Sequence, residues 1–283
     1  MIKTEFKRQA GDWAKRATSP DLRWVVDHLH LRPHFRVLDV GAGTGLLARA
    51  LSPHVADVVA LDLTPEMLEA GKQAAEREGL TNLRFELGAA ETIPFPAGSF
   101  DLVVCRWLLH HLAHPIDGLR EMARVALDNG CVVVVDLVSP TETSVAHSYN
   151  QLQRWRDPSH SAALSIEGLD SLFEQAGLEV DESHKLDVEE DLTEWLSVRN
   201  SEDSGKKIRT AVMQELSRTG PETGLRPFCR GNAIMFTHTL RMAVSHRLRR
   251  PTRTDDGSDR SARRAPLSLT VLGPHRHDAA QSG

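Results

Sequence analysis

Asp39, Gly41, Gly43, Gly45 and Asp62 are the residues whose types and spacing first point to chemistry. The apolar run Arg36-Val37-Leu38-Asp39-Val40 opens into glycines at alternate positions, and a Leu/Ala-rich segment follows. That order reads as strand, tight turn and helix start, where α/β proteins bind nucleotide-like ligands. Glycine permits positive φ and lets a ligand approach with no Cβ in the way. A loop built for pyrophosphate relies on backbone N–H groups and a positive helix end. Asp39 would repel such a group and favour a cationic one. The dinucleotide fingerprint also wants glycine where Leu46 stands. Val58-Val59-Ala60-Leu61-Asp62 reads as a second buried strand ending in an acid. Asp62 lies 21 residues after Gly41, where a carboxylate accepts both hydroxyls of a ribose. The ligand so described carries a ribose and a positive charge but no phosphate.

S-adenosylmethionine (SAM) meets that description. Val37–Gly45 and Leu61–Met67 resemble the first two motifs of class I SAM-dependent methyltransferases, which implies that Leu63 and Met67 also border the cofactor. Gly88-Ala89-Ala90-Glu91 resembles the third motif in the ubiquinone/menaquinone-biosynthesis-like type (methyltransferase domain type 11). There an Asp usually receives the adenine amino group, and here Ala89 stands in its place. Backbone near Ala89 and Ala90, the Glu91 side chain, or shape must then hold the adenine. Phe100–Leu112 resembles the fourth strand and the segment after it, with backbone at Cys105 and Arg106 approaching the methionine part. The resemblance implies that His110 and His111 face the substrate, and that His110 meets Asp136, at the end of the fifth strand, over the methyl group. A neutral His can take a proton from a hydroxyl or amine, and an Asp can orient its ring. Packing roles for both histidines stay open. Arg154, Arg156 and His160 form a basic cluster that could clamp an anionic substrate; Asp157 could equally pair with one of the arginines and leave only a turn. Trp13 is a further candidate substrate contact.

Positioning these residues requires a mainly parallel, seven-stranded Rossmann-like α/β sheet with helices on both faces. The pattern predicts helix over 5–31, strands at 35–40, 57–61, 83–87, 100–105 and 131–137, and helices at 45–52, 65–78 and 116–127. Thr64-Pro65 reads as an N-cap and first-turn pair. A polar connection is expected over 141–160, a helix over 165–176 and a strand over 178–186. One or two helices are expected at 191–218 and a last strand at 231–240; the resemblance implies that the helices form a lid and that the strand runs antiparallel. Residues 1–246 are expected to form the catalytic domain and 247–283 a disordered, dispensable tail.

Of the 283 residues, 40% are hydrophobic and 26% charged, with a net charge of −5. His246–Gly283 alone holds eight Arg and four Asp, so the body is more acidic than the total and nucleic acid is not the expected partner. Neither a secretory signal nor a membrane span is read, so a cytoplasmic enzyme acting on a small molecule is expected. The three cysteines lack metal spacing, and no metal is expected. The expected function is methyl transfer from SAM to a small-molecule acceptor at O or N, with C-methylation of a quinone-, alkene- or prenyl-type acceptor as the alternative. A nicotinamide-dependent oxidoreductase is opposed by Asp39 and Leu46. A non-catalytic SAM-binding protein is kept open by Ala89.

Overall fold

The computed structural model describes residues 19, 21–197 and 201–247. Trp13 and the expected tail lie outside them, except Arg247, which ends the last strand. Strands β1 (Arg36–Val40), β2 (Asp57–Asp62), β3 (Leu83–Leu87), β4 (Phe100–Arg106) and β5 (Ala126–Leu137) pair in parallel. β6 (Leu178–Asp191), β7 (Phe228–Arg230) and β8 (Ala233–Arg247) complete the sheet. The order is β3-β2-β1-β4-β5-β8-β6, and β7 pairs with β8. β8 runs antiparallel between β5 and β6, as expected of the final strand. The sheet has eight strands instead of seven, because the short β7 folds back on β8.

Central strands covered on both faces must be apolar at successive residues, and β1 shows this. Leu38 and Val40 pack with Leu119, Met122 and Phe173, from helices Pro115–Val125 and Ile166–Gln175. Val37 turns the other way, towards Leu47, Leu51 and Val25, from helices Leu46–Leu51 and Leu22–His28. Pro65 occupies the first turn of helix Pro65–Arg77 behind Thr64, whose side chain makes no cap hydrogen bond.

The region after β5 departs from expectation. The polar connection read over 141–160 is largely helix, Thr143–Arg156, capped by Glu142 through the N–H groups of Ser144 and Val145. Only Tyr149, Leu152 and Gln153 are buried along it. So thin an apolar stripe leaves little period to read. Within the lid region, helix Glu202–Leu216 buries Ile208 and Val212, and Leu192, Trp195 and Leu196 come from helix Leu192–Leu196. With Tyr149, Leu152, Leu137, Phe236 and Leu240 these make a third core above the end of β5. β8 extends to Arg247, beyond the expected 240, because β5 and β6 flank it along its length.

Ile208 is fully buried in that third core. Ile208→Ala is expected to lower unfolding stability by about 2–5 kcal/mol through lost transfer energy and a residual cavity, read from the shift in urea midpoint. A loss well below 1 kcal/mol would show that the cap core is not a packed unit.

Candidate active site

The groups singled out in the sequence converge at the carboxyl ends of β1, β2, β4 and β5, the edge where ligands of open α/β sheets bind. The chain leaves β1 through Gly41, Gly43 and Gly45, all at positive φ. A side chain on Gly41 would strike Leu108 Cδ1 at 2.5 Å. One on Gly43 would meet nothing within 4 Å, so the loop borders open space there. Asp39 is buried, and its Oδ2 accepts the Ala48 N–H at 3.0 Å. Burial pushes its carboxyl up to about 7, against the Ala48 hydrogen bond and the charge of Arg106, while Asp62 adds repulsion. Asp62 accepts N–H groups from Gly43 and Thr64, both at 2.8 Å. Burial raises its pKa as well, and those two N–H groups oppose the rise. Leu63 is half-buried beside it, and Met67 is buried one turn into the next helix. Ala89 bridges to Thr92, Ala90 is buried, and Glu91 is half-buried.

Across the edge, His110 and Asp136 meet. His110 Nδ1 lies 2.5 Å from Asp136 Oδ1, and the pair is 6% and 1% exposed. The carboxylate also accepts the N–H groups of His110 at 3.2 Å and Leu137 at 2.7 Å. Burial alone would raise the Asp136 pKa; the His110 charge and these hydrogen bonds outweigh it and hold it below the usual range. Asp136 is therefore an acceptor only, so Nδ1 carries the proton and donates it. Nε2 is left as the nitrogen that can exchange a proton, and among the described residues no hydrogen bond engages it. Leu109, Leu137, Ala162, Ala163, Leu164 and Leu169 line the crevice beside the pair.

A family model described as a methyltransferase domain matches residues 38–134. The chain is 34% identical over 180 residues to the uncharacterized methyltransferase YcgJ of Bacillus subtilis, covering 64% of this chain and 71% of that protein. The chain belongs to the SAM-dependent methyltransferases. The crystal structure of the Bacillus protein matches with a TM-score of 0.74 at 29% identity, over 80% of this chain and 98% of the other. The ubiquinone/menaquinone biosynthesis C-methyltransferase UbiE of Ectopseudomonas mendocina is 33% identical over 132 residues. That match covers 45% of this chain and spans about half, 52%, of the relative. SAM is the cofactor of this methyltransferase, and the donor set suits it: two carboxylates for hydroxyls and positive charge, and open space beside Gly43.

The remaining predicted site residues of the methyltransferase have other partners. His111 Nδ1 lies 3.1 Å from both the carbonyl and the hydroxyl of Ser159. His160 donates Nε2–H to Asn150 Oδ1 at 2.7 Å, and burial with the charges of His110 and His111 pushes its pKa down to about 3. Ser161 and Ala162 N–H groups bond the His110 carbonyl at 2.8 and 3.1 Å, stitching this loop over the pair. Arg154 and Arg156 do not form a clamp. Arg154 reaches the Ser161 carbonyl at 3.1 Å, and Arg156 lies over the Trp195 ring at 4.8 Å. Two residues apart on one helix, they diverge. The Arg106 guanidinium grips Asp21 at 2.7 and 2.8 Å and Ser19 at 2.7 Å. Asp21 also accepts Trp107 Nε1–H at 3.1 Å, while Trp107 sits at φ +57. Nothing in the sequence signalled Asp21, which has no motif and lies 85 residues from its partner.

Asp39 makes the free protein sensitive to pH. A carboxyl raised above its unfolded value contributes stability that is full below about 4 and lost as pH rises through about 7. Asp39→Asn is expected to unfold later than wild type at pH 8 in the absence of SAM, with the gap closing towards pH 4.5. Thermal melts across that range check it, and parallel curves would mean Asp39 titrates normally.

Proposed function

We propose that this methyltransferase acts on a small organic acceptor seated over His110, with His110 as general base and Asp136 as its positioning partner. The observation that carries the reading is the buried 2.5 Å contact between His110 Nδ1 and Asp136. Asp62 would accept the ribose hydroxyls of SAM, and Asp39 with the glycine loop would hold its cationic methionine end. Leu63, Met67 and backbone at Ala89–Glu91 would border the adenine. SAM supplies a methyl group already activated by its sulfonium. The protein aligns the acceptor with that methyl and excludes water, which is worth roughly 7–11 kcal/mol. His110 Nε2 takes the acceptor's proton, and Asp136 stabilises the resulting imidazolium. Residues 1–246 form the catalytic domain in this reading, and 247–283 take no part.

The UbiE relative favours a second reading, methylation at carbon. The same residues serve an aromatic acceptor bearing a hydroxyl. His110 removes the hydroxyl proton, electron density moves to the ring carbon, that carbon takes the methyl group, and the ring then releases its own proton.

Incubating the protein with ¹³C-methyl SAM and a metabolite extract separates the readings, because O-, N- and C-methyl carbons resonate apart. Against the acceptor so found, His110→Ala is expected to lower kcat by about 10²–10⁴-fold with SAM affinity nearly unchanged. Asp136→Asn acts in the same direction through the wrong ring tautomer. Near-wild-type turnover in His110→Ala would end the base assignment and leave alignment as the main catalytic contribution.

Asp62→Ala tests the cofactor half. It is expected to weaken SAM binding by a few kcal/mol at most, roughly 1.5–3 for a lost charge-assisted pair. Unchanged affinity by calorimetry would remove Asp62 from the site.

A further inference from the structure

The sheet ends in two unlike edges. β6 closes one side, and Glu179, Asp181, Glu182, Asp187 and Glu189 stud it with like charge. A strand edge of that kind repels its own copy, which is one way exposed edges avoid pairing. β3 closes the other side as Leu83-Arg84-Phe85-Glu86-Leu87, apolar at three positions with one cation and one anion between them. Leu87 is 58% exposed, and among the described residues no strand pairs with the outer side of β3.

That outer side presents a row of open backbone groups. The Asn82 carbonyl accepts the Val58 N–H at 2.9 Å, and the Gly88 N–H reaches the Asp62 carbonyl at 3.0 Å. Backbone direction alternates along a strand, so the even-numbered residues bond β2 while Leu83, Phe85 and Leu87 turn N–H and C=O outward. Side chains alternate as well. Phe85 lies under helix Pro65–Arg77, where a side chain on Gly71 would strike its ring, and Leu83 and Leu87 share that face. An open groove of about 790 Å³ runs there, between Leu68 and Glu69 of the helix and Phe85 and Leu87 of the strand. Arg84 and Glu86 occupy the opposite face. Arg84 holds both carboxylate oxygens of Asp57 through Nη1 at 2.8 Å, and its other nitrogens have no hydrogen-bond partner among the described residues. Glu86 is exposed and has no ion pair among them.

We infer that β3 pairs antiparallel with β3 of a second copy of this chain, around a two-fold axis at Phe85. The strand is complementary to itself in that register. Phe85 faces Phe85 of the second copy and exchanges both backbone bonds with it, and Leu83 does the same with Leu87. Arg84 falls opposite Glu86 of the second copy, and the symmetry repeats the pair. Opposite charges so placed stabilise a cross-strand pair, and like charges oppose it. Sliding the register by two residues in either direction would set Glu86 against Glu86 or Arg84 against Arg84, so charge selects the register as well as the partner. Leu83 and Leu87 of both copies meet on the groove side, which covers the exposed Leu87.

Sedimentation velocity of the full chain between about 1 and 200 µM tests the pairing. Wild type is expected to pass from monomer to dimer across that range. Glu86→Arg sets cation against cation and Arg84→Glu sets anion against anion, and each should weaken the dimer by about tenfold or more. Mixed in equal amounts, the two variants should form a heterodimer within about threefold of wild-type affinity, because every charge then finds its opposite across the join. Arg84→Glu also loses the Asp57 pair. Should it fail to fold, Glu86→Arg and Leu87→Lys, both at exposed positions, decide the matter through loss of the dimer. A wild-type chain that stays monomeric throughout, a dimer that these substitutions leave intact, or folded charge variants that do not pair on mixing would each overturn the proposal.

Discussion

The Asp136 carboxylate sits at 1% exposure and accepts three hydrogen bonds, from the His110 ring, the His110 N–H and the Leu137 N–H. A buried charge persists only where such partners surround it. That requirement locks the end of β5 to the turn Leu109–His111, and the His110 carbonyl then collects the N–H groups of Ser161 and Ala162. The loop held there carries Ser159 and His160, whose bonds reach His111 and Asn150. The orientation of His110 and the placement of this loop therefore depend on one acid. The other histidines of the cluster bond this loop and the cap helix, His111 through Ser159 and His160 through Asn150.

Three acids end adjacent parts of the same sheet edge, and backbone N–H groups serve all three. Asp39 has Ala48, Asp62 has Gly43 and Thr64, and Asp136 has Leu137 and His110. Backbone donors orient a carboxylate without neutralising it, so Asp39 remains destabilised, with its pKa near 7. A cationic ligand relieves that cost. Arg106 does so only at a distance, because Asp21 and Ser19 occupy its guanidinium. The grip ties helix Leu22–His28 to the end of β4 and holds Trp107 in a backbone conformation that bulky residues avoid.

The cap is a separate core with its own polar interior. β8, inserted between β5 and β6, brings Phe236 and His238 beneath helix Thr143–Arg156. The crevice beside His110 and Asp136 is closed, with no room left for a water-sized sphere. Ligand pockets usually reach about 300–1,000 Å³, so an acceptor over His110 requires the cap to shift. Helices that pack mainly on one another and on the top of the sheet can make that movement without breaking the strand ladder.

The strand-turn-helix at Asp39–Gly45 and the acid at Asp62 were legible in the sequence because their meaning is local. A glycine spacing sets a backbone path, and an apolar run ending in an acid marks a strand end. The parallel order followed from alternating elements, and the antiparallel final strand from the family resemblance. The pairing of His110 with Asp136 was legible only through that resemblance, since 26 residues of sequence say nothing about a 2.5 Å contact. Helix Thr143–Arg156 was hidden by its thin apolar stripe, and with it the divergence of Arg154 from Arg156. Tyr149 meets His238 across 89 residues, and Asp21 meets Arg106 across 85. Short-range pattern encodes which groups face a strand end or a helix face. Which buried polar group meets which partner is decided only when distant segments close over the same volume.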